Sequence, residues 1–518
     1  MFCQKPKHVV LFNLAILAKP FLLYQMHLSN LFTETWHQIP FTTLLLALGY
    51  IIAFFFSVII ISENRSPSKT IAYLLIFFLL PGIGILIYYA FGENYRKKKL
   101  YRLKAHEDEK LQRRINNYVY KLSEDNLLEY SEKLKDYERL IRLLTYEGRL
   151  PLTDNNKITL LINGEEKFPS LFDALENARH HIHLEYYIIE EGLVVDQLFE
   201  ILIRKVQEGV LVRLIYDDFG CSLSKKFLRR VKEAGIQAVP FYKINIPLFS
   251  NRQNYRDHRK IVVVDGLVGF VGGINLSDKY VNVGIENELF WRDTHLKIEG
   301  EAVRSLQLFF ALNWSFCCEE ELFFQHEYFP DVKAVGDQMA QIAVSGPDSD
   351  QANIMLSYLS AINNAKKSIY ITSPYFIPNE SIVNALKNAA LSKLDVRLLV
   401  PGRSDSKFVG AASQSYYEEL LECGVRIFRY RKGFVHAKTM VVDDLISMVG
   451  TANMDIRSFE LNFEVNAIVF DEAINQQLKQ AFLNDLAESR EISPAYWLKR
   501  RWFKHFFESL CRLLSPIL

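Results

Sequence analysis

Two stretches of this 518-residue chain repeat one pattern: DHRKIVVVDG at 257–266 and VHAKTMVVDD at 435–444 both contain H-x-K-x-x-x-x-D. They place His258, Lys260 and Asp265 in the first copy and His436, Lys438 and Asp443 in the second. The match continues downstream, because Asn275 and Asn453 each follow their histidine by seventeen residues, behind VGGI and VGTA. It also reaches upstream. DALENARHHIHLEYYII and LVVDQLFEILIRKVQEGVLVRLIYDD precede the first copy, LSAINNAKKSIYITSPYFI and SIVNALKNAALSKLDVRLLVPG the second. Each pair reads helix, buried strand, helix, buried strand, the alternation of an α/β layer structure. A duplication of this size predicts two similar α/β halves, 151–335 and 336–490, meeting about a pseudo-two-fold axis at one shared site.

On a strand, residues i and i+2 point to the same side, so each histidine shares a space with its lysine. Two imidazoles and two ammonium groups in one site suit substitution at a phosphodiester. The lysines neutralise charge on the non-bridging oxygens. One histidine can attack phosphorus while the other protonates the departing alkoxide and later deprotonates the acceptor. On the residues alone either histidine fits either role, and the reaction asks for no metal or other cofactor. Asp265 and Asp443 lie five residues beyond the lysines, at the far end of the strand, and are expected to anchor local backbone. The six cysteines show no C-x-x-C pair and no zinc-type spacing, which points to a reducing compartment without a structural metal.

Two stretches near the start carry no charge: residues 41–61, FTTLLLALGYIIAFFFSVIII, and residues 71–91, IAYLLIFFLLPGIGILIYYAF. Each is long enough as helix for a hydrocarbon core of about 30 Å. Joined by a short polar turn, they predict a transmembrane hairpin over 41–92, with Pro81-Gly82 as a point of kinking. The basic run Arg96–Lys99 follows the second stretch, so the positive-inside rule puts the bulk of the chain on the cytoplasmic side of the cell membrane. Residues 1–40 are an extension whose stretch 9–28 reads as an interfacial or packing segment, and 93–150 reads as a charged helical linker. Segment 491–518 mixes basic and aromatic residues, as either an interfacial amphipathic helix or one packed on the core. A net charge of +1 gives no overall field to attract nucleic acid.

The paired motif resembles that of the phospholipase D superfamily. The resemblance implies two α/β-sandwich halves sharing one active site and a covalent phosphohistidine. His258, Lys260 and Asp265 would form the first catalytic motif, with His258 as nucleophile. His436, Lys438 and Asp443 would form the second, with His436 as acid and base. It further nominates Asp293 in FWRDTH and Glu464 in NFEVN as the carboxylates orienting the imidazoles, and Asn275 and Asn453 as donors to phosphoryl oxygens. LLPGIGILIYYAFG, IHLEYYII, WRDTHLKIEGEAV, SPYFIP and GTANMDIRSFELNFEVN resemble the bacterial cardiolipin synthases in particular. That likeness implies transphosphatidylation of two phosphatidylglycerol molecules to cardiolipin and glycerol, with anionic membrane lipids as partners and no cofactor. A phosphodiester hydrolase, a synthase using phosphatidylethanolamine as donor, and an inactive membrane scaffold are the alternatives. Oligomeric state is not legible.

Overall fold

The computed structural model describes residues 41–62, 67–80, 109–148, 150–241, 255–284, 289–318, 325–349 and 351–513, with single positions 84, 88, 320, 322 and 515. The extension 1–40 and the basic run 96–99 lie outside the described residues. The chain divides into residues 1–94 and residues 95–518.

In the larger unit, the strand after each motif lysine is buried on both faces. Val262 and Val264 pack into the helix layer of the first half, while Ile261 and Val263 face a core shared with the second half. Met440 and Val442 likewise pack outward and Val441 inward. This alternation makes each half one sheet of a sandwich, and it accounts for the unbroken apolar runs IVVV and TMVV.

The first half contributes β1 (Leu152–Ile162), β2 (His181–Tyr186), β3 (Leu211–Asp217), β4 (Gln237–Phe241), β5 (Lys260–Val264), β6 (Val268–Gly272), β7 (Phe290–Arg292) and β8 (Thr294–Glu299). The second contributes β9 (Gln338–Ser345), β10 (Ser368–Thr372), β11 (Phe376–Ile377), β12 (Asp395–Pro401), β13 (Arg426–Tyr430) and β14 (Gly433–Val435). It continues with β15 (Thr439–Val442), β16 (Ile446–Gly450), β17 (Met454–Asp455), β18 (Glu464–Phe470) and β19 (Ser489–Glu491). Hydrogen bonding orders them β4-β3-β2-β5-β6-β8-β1 in one half and β13-β12-β10-β15-β16-β18-β9 in the other, position for position the same. β1 joins the halves. Its first residues pair with β9 and its later ones with β8, and the register breaks between Thr153 and Asn156, where Asn155 has φ 58°.

The motif aspartates sit in the tight turns that end β5 and β15, with φ 54° at Asp265 and 52° at Asp443, values that aspartate tolerates better than most residues. The Asp265 carboxylate accepts backbone N–H groups of Arg179, His180 and His181 at 2.8, 2.8 and 2.9 Å. The Asp443 carboxylate accepts those of Lys366, Lys367 and Ser368 at 2.8, 2.7 and 2.9 Å. Each aspartate therefore clamps the start of the neighbouring strand, β2 or β10, at the end away from its histidine.

The stretch expected as a charged linker forms helices Glu109–Glu129 and Glu138–Tyr146. Leu127, Leu140, Ile141 and Leu144 pack there against Met339, Ile354 and Tyr358 of the second half. From Val119 onward the segment is a cover for that half, because its apolar residues recur at helical spacing beneath the charges.

In the smaller unit, α1 (Phe41–Ser62) spans about 33 Å at 1.5 Å per residue, and its window Leu45–Ser62 is long and apolar enough to cross a membrane. α2 (Pro67–Leu79) has thirteen residues, about 20 Å, and packs on α1 through Phe77 against Phe56. The expected hairpin is thus described only in part. The second helix stops ahead of Pro81, which removes a backbone donor and disfavours helix at the residue before it.

Replacing Asp443 with Ala leaves three backbone N–H groups without their acceptor and is predicted to cost about 1–3 kcal/mol of stability. Denaturant unfolding of the detergent-solubilised chain measures this; an unchanged midpoint contradicts the clamp.

Candidate active site

The two halves interlock through backbone before any catalytic side chain is considered. Asp257 bridges Phe463 in parallel, and the His258 N–H donates to the Phe463 carbonyl at 3.0 Å. In the other direction β14 runs parallel to β7, and the His436 N–H donates to the Arg292 carbonyl at 2.7 Å. Each half lays its histidine segment along the carboxylate segment of the other. The side chains follow. His258 Nδ1 lies 2.9 Å from both carboxylate oxygens of Glu464, and His436 Nδ1 lies 2.6 Å from Asp293 Oδ2. Glu464 and Asp293 are fully buried, whereas His258 and His436 keep 8% and 9% exposure.

An Nδ1–H given to a carboxylate leaves the Nε2 lone pair facing out. The two rings then differ. Lys438 Nζ donates to the His436 backbone carbonyl and lies against the imidazole, 2.9 Å from Nδ1 and 2.8 Å from Nε2, on the axis of neither lone pair. Lys260 Nζ donates to the His258 backbone carbonyl at 2.6 Å, and His258 Nε2 has no hydrogen-bond partner among the described residues. The His258 ring keeps its outer nitrogen free of such a neighbour, whereas an ammonium group sits against the His436 ring.

Burial lowers the His258 imidazole to about 4 against the pull of Glu464. Burial, then Lys438, lowers His436 to about 3. Burial would raise Asp293, but Lys438 and His436 outweigh it and hold the carboxyl at about 2. Glu464 is likewise held low, with His258 and Lys260 overriding burial. Burial and then Lys438 bring Lys260 down to about 7, and burial brings Lys438 to about 8. At neutral pH the site holds ionised carboxylates, neutral imidazoles and two lysines close to losing their charge. A bound anion between the lysines would restore that charge.

Asn275 and Asn453 are buried, each with a side-chain oxygen that has no hydrogen-bond partner among the described residues. Asn275 Nδ2 donates to Tyr280 Oη at 2.8 Å, and that hydroxyl lies 3.3 Å from His436 Nδ1. Asn453 donates its backbone N–H to Ser458 Oγ at 3.3 Å. Asn275 therefore reaches His436 through a tyrosine, and the equivalent position in the other half is a serine. Sequence reasoning passes over Tyr280, and also Tyr187, whose ring stands edge-on to His258 with centroids 4.8 Å apart. It passes over Asp217 too, which accepts the Asp257 N–H at 3.0 Å and fixes the backbone ahead of His258. Tyr187 directly follows β2 within the segment IHLEYYII, a signal present in the sequence; Tyr280 becomes a site residue only when the halves meet.

A family model described as "Cardiolipin synthase, PLD-like domain" matches residues 171–310 and 358–486, one segment in each half. A second, described as "Phospholipase D-nuclease N-terminal", matches residues 51–93. Among curated relatives, the chain is 42% identical to cardiolipin synthase 2 of Bacillus cereus over 475 residues, 90% of each protein. It is 40% identical to the cardiolipin synthase of Alkalihalophilus pseudofirmus over 500 residues, 95% of this chain and 97% of that one. Among solved structures, phosphatidylserine synthase of Haemophilus influenzae superposes with a TM-score of 0.55 at 13% identity, covering 73% of this chain and 97% of the other, a likeness of fold.

Replacing Glu464 with Gln removes the buried charge that fixes the His258 tautomer. A loss in kcat of about 10²- to 10⁴-fold is predicted, with KM little changed. A change confined to KM would show that Glu464 acts on substrate binding instead.

Proposed function

This chain belongs to the family of phospholipase D-like cardiolipin synthases, which makes it a phospholipid phosphatidyltransferase, and we propose that it joins two phosphatidylglycerol molecules into cardiolipin with release of glycerol. The observation carrying the reading is the unequal surroundings of the two Nε2 atoms. His258 Nε2, with its bare lone pair, attacks the phosphorus of the first lipid as the bond to the glycerol oxygen breaks. His436 delivers the proton to that oxygen. The terminal hydroxyl of the second lipid then loses its proton to His436 as its oxygen attacks phosphorus, and the P–N bond to His258 breaks. Lys260 and Lys438 hold the non-bridging oxygens throughout.

The low value of His436 in the free protein suits the second, proton-accepting role directly. The first role needs a protonated ring, and a phosphodiester anion bound beside it raises the imidazole toward that state. Excluding water from the phosphohistidine decides between transfer and hydrolysis to phosphatidic acid. In this reading the chain spans the cell membrane twice and works at its cytoplasmic face, as the flanking basic run supports.

Purified protein in phosphatidylglycerol vesicles is predicted to form cardiolipin and glycerol in equal amounts, and His258→Ala to form neither. Phosphatidic acid as sole product would replace this reading with a hydrolase; consumption of added phosphatidylethanolamine would change the donor. The pH profile follows from the lysines. Their charge binds the substrate and is lost as pH rises, so kcat/KM is predicted to fall above roughly pH 7 to 8, the values set for Lys260 and Lys438. Efficiency that climbs steadily through pH 9 contradicts the assignment of the lysines.

A further inference from the structure

The C-terminal helix Trp502–Arg512 faces the opposite way from a helix on a water-facing surface. Its polar side meets the protein. Arg500 donates to Glu508 at 2.6 and 3.1 Å, Arg512 to Glu419 at 2.8 Å, and His505 Nδ1 lies 3.1 Å from Glu418. Its apolar side faces out: Trp502 is 77% exposed, Phe506 63% and Leu513 76%. At about 100° per residue, these three and Leu510 fall within a stripe of roughly 80°.

Beside the stripe, a cavity of about 570 Å³ opens between this helix and the loop after β12. Arg403, Lys407, Arg429 and Lys504 line it, and Phe503 and Phe507 form an apolar wall. Glu508 also lines it, but is paired with Arg500. Arg403, Lys407 and Lys504 have no ion-pair partner among the described residues. An apolar stripe edged by unneutralised cations matches an anionic bilayer, whose acyl region takes the first and whose phosphates take the second. A second copy docked face to face would bring the same cations together, so charge argues against self-association.

We propose that this face seats the catalytic body on an anionic phospholipid surface, with the Trp502–Phe506–Leu513 stripe among the acyl chains and a lipid phosphate in the cavity. None of the residues lining the cavity belongs to the two H-x-K motifs, and the seat involves no covalent step.

The full chain in vesicles tests this, with the Trp502 fluorescence isolated by subtracting the signal of a Trp502→Phe variant. Vesicles contain either brominated phosphatidylserine or brominated phosphatidylcholine, bromine being a quencher within the acyl region. With the anionic lipid, at least half of the Trp502 signal is expected to be lost, and at least twice the loss seen with phosphatidylcholine. The doubly substituted chain Lys407→Glu, Lys504→Glu, checked for native circular dichroism, is expected to fall to the phosphatidylcholine level. Absent quenching, or equal quenching by both lipids, overturns the proposal. So does a Trp502 shielded from aqueous acrylamide yet untouched by bromolipid, which would mean that protein covers the helix. No turnover is read, so this outcome is independent of whether the chain makes cardiolipin.

Discussion

The site depends on an exchange of carboxylates between halves: Glu464 of the second half holds His258 of the first, and Asp293 of the first holds His436 of the second. Neither half has an oriented imidazole without the other. Both carboxylates are buried and ionised, a costly state unless each has close donors. The parallel backbone pairings of β7 with β14 and of Asp257 with Phe463 set those donors in place. Behind them, the joint of β1 with β9 and the shared apolar core fix one half against the other. The two-fold repeat thus serves more than architecture, since it makes the proposed catalytic groups conditional on correct assembly of the whole sandwich.

The same burial sets the chemistry. Two lysines driven toward neutrality and two imidazoles held neutral form a site that is short of an anion. In the proposed reaction, phosphodiester binding relieves that imbalance and recharges the groups assigned to stabilise the transferring phosphoryl oxygens. The identical spacing of the two motifs hides an asymmetry that the structure exposes. Tyr280 and Lys438 crowd the His436 ring, while among the described residues the His258 ring meets Glu464 and the edge of Tyr187. A duplicated sequence has diverged into two unequal proton environments.

The paired H-x-K motifs, the repeat and the α/β alternation are legible in the sequence because each rests on local periodicity or on exact recurrence. The turn position of Asp265 and Asp443 is legible for a similar reason: distance along a strand converts directly to distance from its mouth. The crosswise partnership is not, because spacing along one half carries no information about which segment of the other lies opposite. Tyr280 escapes notice on the same ground, as nothing in INLSDKY marks a tyrosine whose partner is 156 residues away. Charge density misleads in the 93–150 stretch, where Leu140, Ile141 and Leu144 form a buried face under a polar composition. In the second apolar stretch hydropathy indicates a span with a break at Pro81; the described helix ends at Leu79, and beyond the proline Gly84 and Tyr88 are again helical.

The crosswise arrangement is tested most directly by following labelled lipid phosphate on the protein by rapid quench in two variants, Glu464→Gln and Asp293→Asn. The account predicts that label appears on the His258 peptide, that Glu464→Gln slows its appearance, and that Asp293→Asn, by weakening the base needed for the second step, lets it persist. Label on the His436 peptide, or the two variants exchanging their effects, would contradict it.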